Sequence, residues 1–177
     1  MPMSYEEIVR KRKSFALPGY KSLFDVGLDG DYVSPLQINS RSRSGPVLVA
    51  YNWFDAPSAM QHAAVLRKYG YMPGIPFNVV MDKALAIAKM SRADIYMTQA
   101  FHLLPAGRSD SISFQDVDAS FDSITRFEVE GRKVVALGGQ AARACRRFGV
   151  SCLEVPHPSA RIGTYDYKAE LIAAALT

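Results

Sequence analysis

His157 stands between Pro156 and Pro158 and is followed by Ser159, Ala160 and Arg161. Each proline restricts itself and the residue before it, so this imidazole is expected in a rigid turn. A neutral imidazole held in that way can donate a hydrogen bond to a developing anion; a purely structural histidine would carry the same local sequence. Gln99 brings an amide donor and an acceptor, suited to the edge of a base or equally to a backbone group. The stretch Tyr51-Asn52-Trp53-Phe54-Asp55 sets two polar groups able to hold a water, Asn52 and Asp55, among aromatics that include the only tryptophan. Those aromatics suit core anchors or a stacking platform. Phe77, in Gly74-Ile75-Pro76-Phe77-Asn78, follows a tight turn and can cover a flat ligand or fill the core. In Ser40-Arg41-Ser42-Arg43-Ser44, every side chain can donate to phosphate, and the same run suits a solvated loop. Gly138-Gly139 fits no glycine-rich nucleotide motif and points to close helix–strand packing.

The elements around these residues alternate. Four apolar, β-branched runs predict strands at Val47–Tyr51, Asp94–Thr98, Lys133–Leu137 and Cys152–Val155. Near-continuous apolar runs suit strands buried on both faces of a parallel sheet. Helical spacing predicts helices over Ser58–Tyr69, Val79–Met90, Phe114–Phe127, Gln140–Phe148 and Tyr165–Leu176. The alternation predicts one α/β domain over residues 1–177, a three-layer αβα sandwich on a mainly parallel four-stranded sheet. Ligands in such folds sit beyond the carboxyl ends of the strands, where most of the residues above fall.

Composition narrows the classes. With 49% apolar and 21% charged residues, the 177-residue chain suits a folded domain with a real core. It holds no run of about 18 apolar residues, so no membrane span is expected. Glu6 and Glu7, with no apolar stretch beside them, argue against a targeting segment, and a cytoplasmic location is expected. Cys145 and Cys152 are too few for a four-cysteine metal or iron–sulfur site and are expected to be reduced thiols. A net charge of +4 permits nucleic-acid binding without requiring it.

Taken in order, four segments resemble the uracil-DNA glycosylase superfamily over roughly residues 45 to 177. His157-Pro158-Ser159 is similar to its H-P-S box. Gly74-Ile75-Pro76-Phe77 resembles the G-x-P-F turn of the bacterial and archaeal iron–sulfur branch. The run from Ser91 through Gln99 to Pro105 resembles that branch's S-R-x-D-V-Y-I-T-N segment, and Ala136 to Ala142 its A-L-G-x-x-A box. The chain departs from the family at three places. Ala50-Tyr51-Asn52-Trp53-Phe54 replaces the usual first motif, without its glycine and proline. Gln99 stands where the family has a base-reading Asn. The branch's four cluster cysteines are absent, so no cofactor and no metal is implied.

The resemblance implies a monofunctional DNA glycosylase that hydrolyses the N-glycosidic bond of uracil or a related base flipped out of DNA. Phe77 would stack on that base and Gln99 would bond its edge. Tyr51 or Phe54 would wall the pocket. Asn52 would orient the water, with Asp55 as the alternative carboxylate, and His157 would donate to the departing base. Ser159, Arg161, Arg41 and Arg43 would contact DNA. Arg161 occupies the position of an apolar wedge, which implies a preference for single-stranded or mismatched DNA. Two alternatives stay open: a modified-base binder that hydrolyses slowly or not at all, and an enzyme acting on nucleotides or modified bases.

Overall fold

A computed structural model describes all residues, Met1–Thr177. Its centre is one sheet of four strands, β1 (Val47–Asn52), β2 (Tyr96–Phe101), β3 (Val134–Leu137) and β4 (Leu153–Val155). All pairs are parallel and the order is β2-β1-β3-β4. Every residue of β2 and β3 is buried, as are the first four of β1, which is why those runs carry no polar alternation.

Helices cover both faces. On one side α4 (Pro76–Ala88) and α8 (Tyr165–Leu176) pack on Leu48, Ala50, Met97, Val135 and Leu137. On the other, α5 (Phe114–Ser120) and α7 (Gly139–Arg147) pack on Val47, Val49, Ala100 and Ala136. Successive strand residues point to opposite faces, so each strand feeds both cores. The architecture is therefore an αβα sandwich. In the strand order the chain moves from β1 to β2 and then returns past β1 to β3. The carboxyl ends of β1 and β3 therefore flank the switch point where doubly wound sheets open a crevice.

Several element bounds differ from those the sequence predicts. The expected helix Ser58–Tyr69 is two, α2 (Ala56–Gln61) and α3 (Ala63–Tyr69), broken at His62. Helix α4 begins three residues earlier than expected, with Pro76 at its first turn, where a missing N–H leaves nothing unsatisfied. Between α5 and the short α6 (Arg126–Glu128) lies one widened π turn, Phe121–Thr125. Strand β2 runs three residues further than expected, so Gln99 lies inside it and not beyond it.

The N-terminal third adds α1 (Tyr5–Ser14), opened by a capping box of Ser4 and Glu7. Arg12 of this helix is buried and donates to the carbonyls of Gly30, Tyr32 and Val33 while pairing with Asp29 at 2.7 Å. The same third of the chain runs along the edge of β2. Arg41 bridges Tyr96 at its start, and Lys21 bridges Leu104 just beyond its end, both antiparallel.

Candidate active site

Asn52 ends β1. Alternation from Leu48 and Ala50 places it on the α4/α8 side, where it is half-buried. Tyr51 points the other way. It packs against the α5/α7-side core and its hydroxyl donates to the Ile112 carbonyl at 3.5 Å. Tyr51 and Asn52 thus lie on opposite faces of the sheet, because one step along a strand changes the face. Phe54 also belongs to the core. Its ring meets Trp53 edge-on at 5.0 Å and packs in the cluster of Leu23, Val26 and Leu104. Trp53 itself is pinned by its Nε1–H donating to the Gly70 carbonyl at 3.0 Å.

Asp55 caps α2. Its carboxylate accepts the Ser58 N–H at 3.0 Å, and the residue is 7% exposed. That geometry is the N-cap of α2.

Gln99 lies beside Ala50 on β2 and shares the α4/α8 face with Met97. It is 2% exposed, and its Oε1 has no hydrogen-bond partner within the protein. A buried acceptor left alone costs about 1–3 kcal/mol, so an occupant carrying an N–H or O–H donor is favoured there. The backbone of Gln99 is held from behind. Thr125, in the π turn, donates its hydroxyl to the Gln99 carbonyl at 2.7 Å. With that proton committed, Thr125 Oγ1 accepts from His102 Nε2 at 3.0 Å. Glu128 lies in the same buried group, accepting from Thr98 and Tyr96.

Phe77 follows Pro76 in the first turn of α4, and the left-handed Gly74 (φ 87°) turns the chain into it. Its ring meets the imidazole of His157 edge-on, centroids 5.3 Å apart at 63°. His157 sits past β4 in the turn its prolines favour. The Ser159 N–H donates to Nδ1 at 3.1 Å, and the Ala160 N–H donates to the His157 carbonyl at 2.8 Å. A backbone N–H can only donate, so Nδ1 is the acceptor and the neutral ring carries its proton on Nε2. Burial, and then the Lys168 ammonium, hold this imidazole below the ordinary histidine range.

Gly138 packs on the same turn. Its φ is 100°, its N–H donates to the Val155 carbonyl at 2.8 Å, and a Cβ there would lie 3.0 Å from His157 Cβ. Gly138 therefore serves the close approach of the β3–α7 junction to the His157 turn, while a Cβ at Gly139 would meet nothing within 4 Å. Ser159 takes part through its backbone amide. Arg161 is exposed next to Ile162, which is 64% exposed.

Arg41 and Arg43 are not brought to this site. Arg41 lies against Tyr96, the first residue of β2, at the opposite end of the sheet, with its guanidinium 3.8 Å from the Tyr5 ring centre. A backbone bridged at the amino end of β2 does not also reach the carboxyl end. The signals missed in the sequence are Thr125 and Lys168. The last stands at helical spacing with Ile172 and Leu176, a cation on the buried stripe of α8.

Two surface depressions lie elsewhere. One of ≈360 Å³ is lined by Tyr20, Pro105, Asp110 and Asp116; one of ≈480 Å³ lies beside Arg126, Arg132 and Val150. No group of three or more His, Cys, Asp or Glu side chains converges to hold a metal ion, and no helix is long and apolar enough to cross a membrane. No protein-family model matches the chain, and no curated protein matches it in sequence.

Proposed function

We propose that this protein is a DNA glycosylase of the uracil-DNA glycosylase superfamily, hydrolysing the N-glycosidic bond of uracil or a related damaged base flipped out of DNA. One observation carries the reading: His157 is held neutral, with Nδ1 occupied by the Ser159 N–H and Nε2–H left to donate, edge-on to Phe77. The order of the four motif segments along the chain supports it, as does the unpaired acceptor of Gln99.

The chemistry follows from these groups. Breaking an N-glycosidic bond leaves negative charge on a base oxygen, and a pre-placed neutral N–H stabilises that charge without reorganising. Such a donor is worth about 3–4 kcal/mol of barrier. Phe77 supplies a flat apolar surface for the base. Gln99 Oε1 accepts an N–H from its edge, the imide N–H of uracil being one such donor. Asn52 orients the water but cannot take its proton, so slow hydrolysis is expected. No cofactor enters. With DNA as the substrate, we place the protein in the cytoplasm, where its two thiols stay free.

The test is a panel of single- and double-stranded oligonucleotides bearing uracil, hypoxanthine, xanthine or 5-substituted uracils, assayed for alkali-labile sites with chelator present. Release of at least one lactam base, abolished by His157→Ala, is expected. Retarded but uncleaved uracil-DNA would instead establish the non-hydrolytic binder, the reading favoured by an amide at position 52 and by the use of Asp55 as a cap. Action on free mononucleotides alone would remove DNA from the function.

A further inference from the structure

Lys168 is 2% exposed, yet its ammonium does not bond a carboxylate. Nζ donates to the Pro158 carbonyl at 2.9 Å and to the Ala160 carbonyl at 2.5 Å. Taking an ammonium out of water costs several kcal/mol unless its surroundings compensate, and two neutral carbonyls compensate less than an ion pair. Its own helix offers the ammonium only the Tyr165 ring, 5.3 Å from Nζ, and its neighbours Ala169 and Ile172 lie in the apolar core. The two carbonyls belong to the turn that carries His157. They flank Ser159, whose N–H occupies Nδ1.

We infer that Lys168 is a positioning residue for His157: its buried ammonium ties down the Pro158–Ala160 turn and holds the imidazole as the neutral tautomer with Nε2–H free. The inference deepens the glycosylase reading and rests on it for its functional meaning. Two effects come from one group. The hydrogen bonds fix the turn, so Ser159 keeps feeding Nδ1. The charge opposes a second proton on the ring, which would set N–H against N–H at 3.1 Å and break the Ser159 contact. The elements packed on the ring bring few other charges. Helix α4 presents Phe77, the turn before α7 presents Gly138, and α8 presents Lys168. Asp166, two residues before Lys168 on α8, is paired at the surface with Lys83 at 3.0 Å.

The experiment is nitrogen NMR of the His157 ring and the lysine ammonium groups in the full chain, for the wild type, Lys168→Gln and Lys168→Met. Gln keeps N–H donors without charge; Met keeps neither. Expected are a single Nε2–H tautomer in the wild type, an upward move of the His157 titration in both variants, and mixed tautomers in Lys168→Met. Variants that stay folded with an unchanged tautomer and titration overturn the inference. The wild type decides the matter where the variants fail to fold: a slowly exchanging Lys168 ammonium supports it, and one exchanging as fast as exposed Lys83 overturns it. None of these readouts needs turnover. Failure of the glycosylase reading, seen as no base released from any oligonucleotide, is thus separate from failure of this one. On active protein, Lys168→Gln should also move the acid limb of the rate profile upward.

Discussion

Gly138 and His157 are in contact at a distance that leaves no room for a side chain, 3.0 Å from a Cβ at 138 to the Cβ at 157. The left-handed φ of 100° adds backbone strain for any residue but glycine. Gly138→Ala is therefore expected to lose about 1–3 kcal/mol of stability and to push the His157 turn away from Phe77. Urea unfolding measures the first effect. Base release measures the second, and the rate should fall while Gly139→Ala, where a Cβ meets nothing within 4 Å, retains it.

Acid should act through His157. Its folded value lies below the ordinary 6.5 because of burial and then Lys168. The unfolded chain thus takes up a proton that the folded chain refuses. Stability from this group is complete above about pH 6.5 and is lost as the pH falls through the folded value. Urea midpoints from about pH 8 to about pH 5 should decline more in the wild type than in His157→Gln. A parallel decline would place the acid sensitivity elsewhere.

Asn52 and Asp55 separate on the same logic of position. Asp55→Ala should cost about 1 kcal/mol, the worth of an N-cap, with little change in the rate per folded molecule. Asn52→Asp should speed hydrolysis, since a carboxylate can take the proton an amide cannot. Loss of turnover in Asp55→Asn with no change in Asn52→Asp would reverse these roles.

Arg161 and the arginine pair near Tyr96 should also part. Arg161→Ala is expected to weaken action on duplex more than on single strands, whereas equal losses on both with a salt slope flatter by about one unit would make it a phosphate contact only. Arg41→Ala and Arg43→Ala should leave oligonucleotide affinity unchanged, because they sit at the far end of the sheet. Filter binding across a salt series compares all three.

The sandwich was legible because its strands are unbroken apolar runs such as Val47-Leu48-Val49-Ala50 and Val134-Val135-Ala136-Leu137, and nothing but burial on two faces explains those. His157 and Phe77 were legible from the prolines that fix their turns. The faces of Tyr51 and Asn52 follow from alternation along β1, which runs one residue past the expected end. The capping role of Asp55 was not legible, because a capping aspartate and a catalytic one look alike until the Ser58 N–H is in place. Arg41 misled because proximity to a strand in sequence says nothing of which end it meets. Thr125 was hidden because it acts only through the π turn, which no residue pattern announced.

The antiparallel contacts along β2 have a consequence for the molecule as a member of a crowd. An open sheet exposes backbone groups at two edges, and either can recruit a strand from another copy. Here the chain's own N-terminal third occupies the β2 edge near both ends, at Tyr96 and at Leu104. The other edge is β4, three residues long, with Glu154 drawn into a pair with Arg146. Self-association by strand addition is thus blocked on one flank by tethered chain and on the other by brevity and charge, so a single sheet can stay single at high concentration.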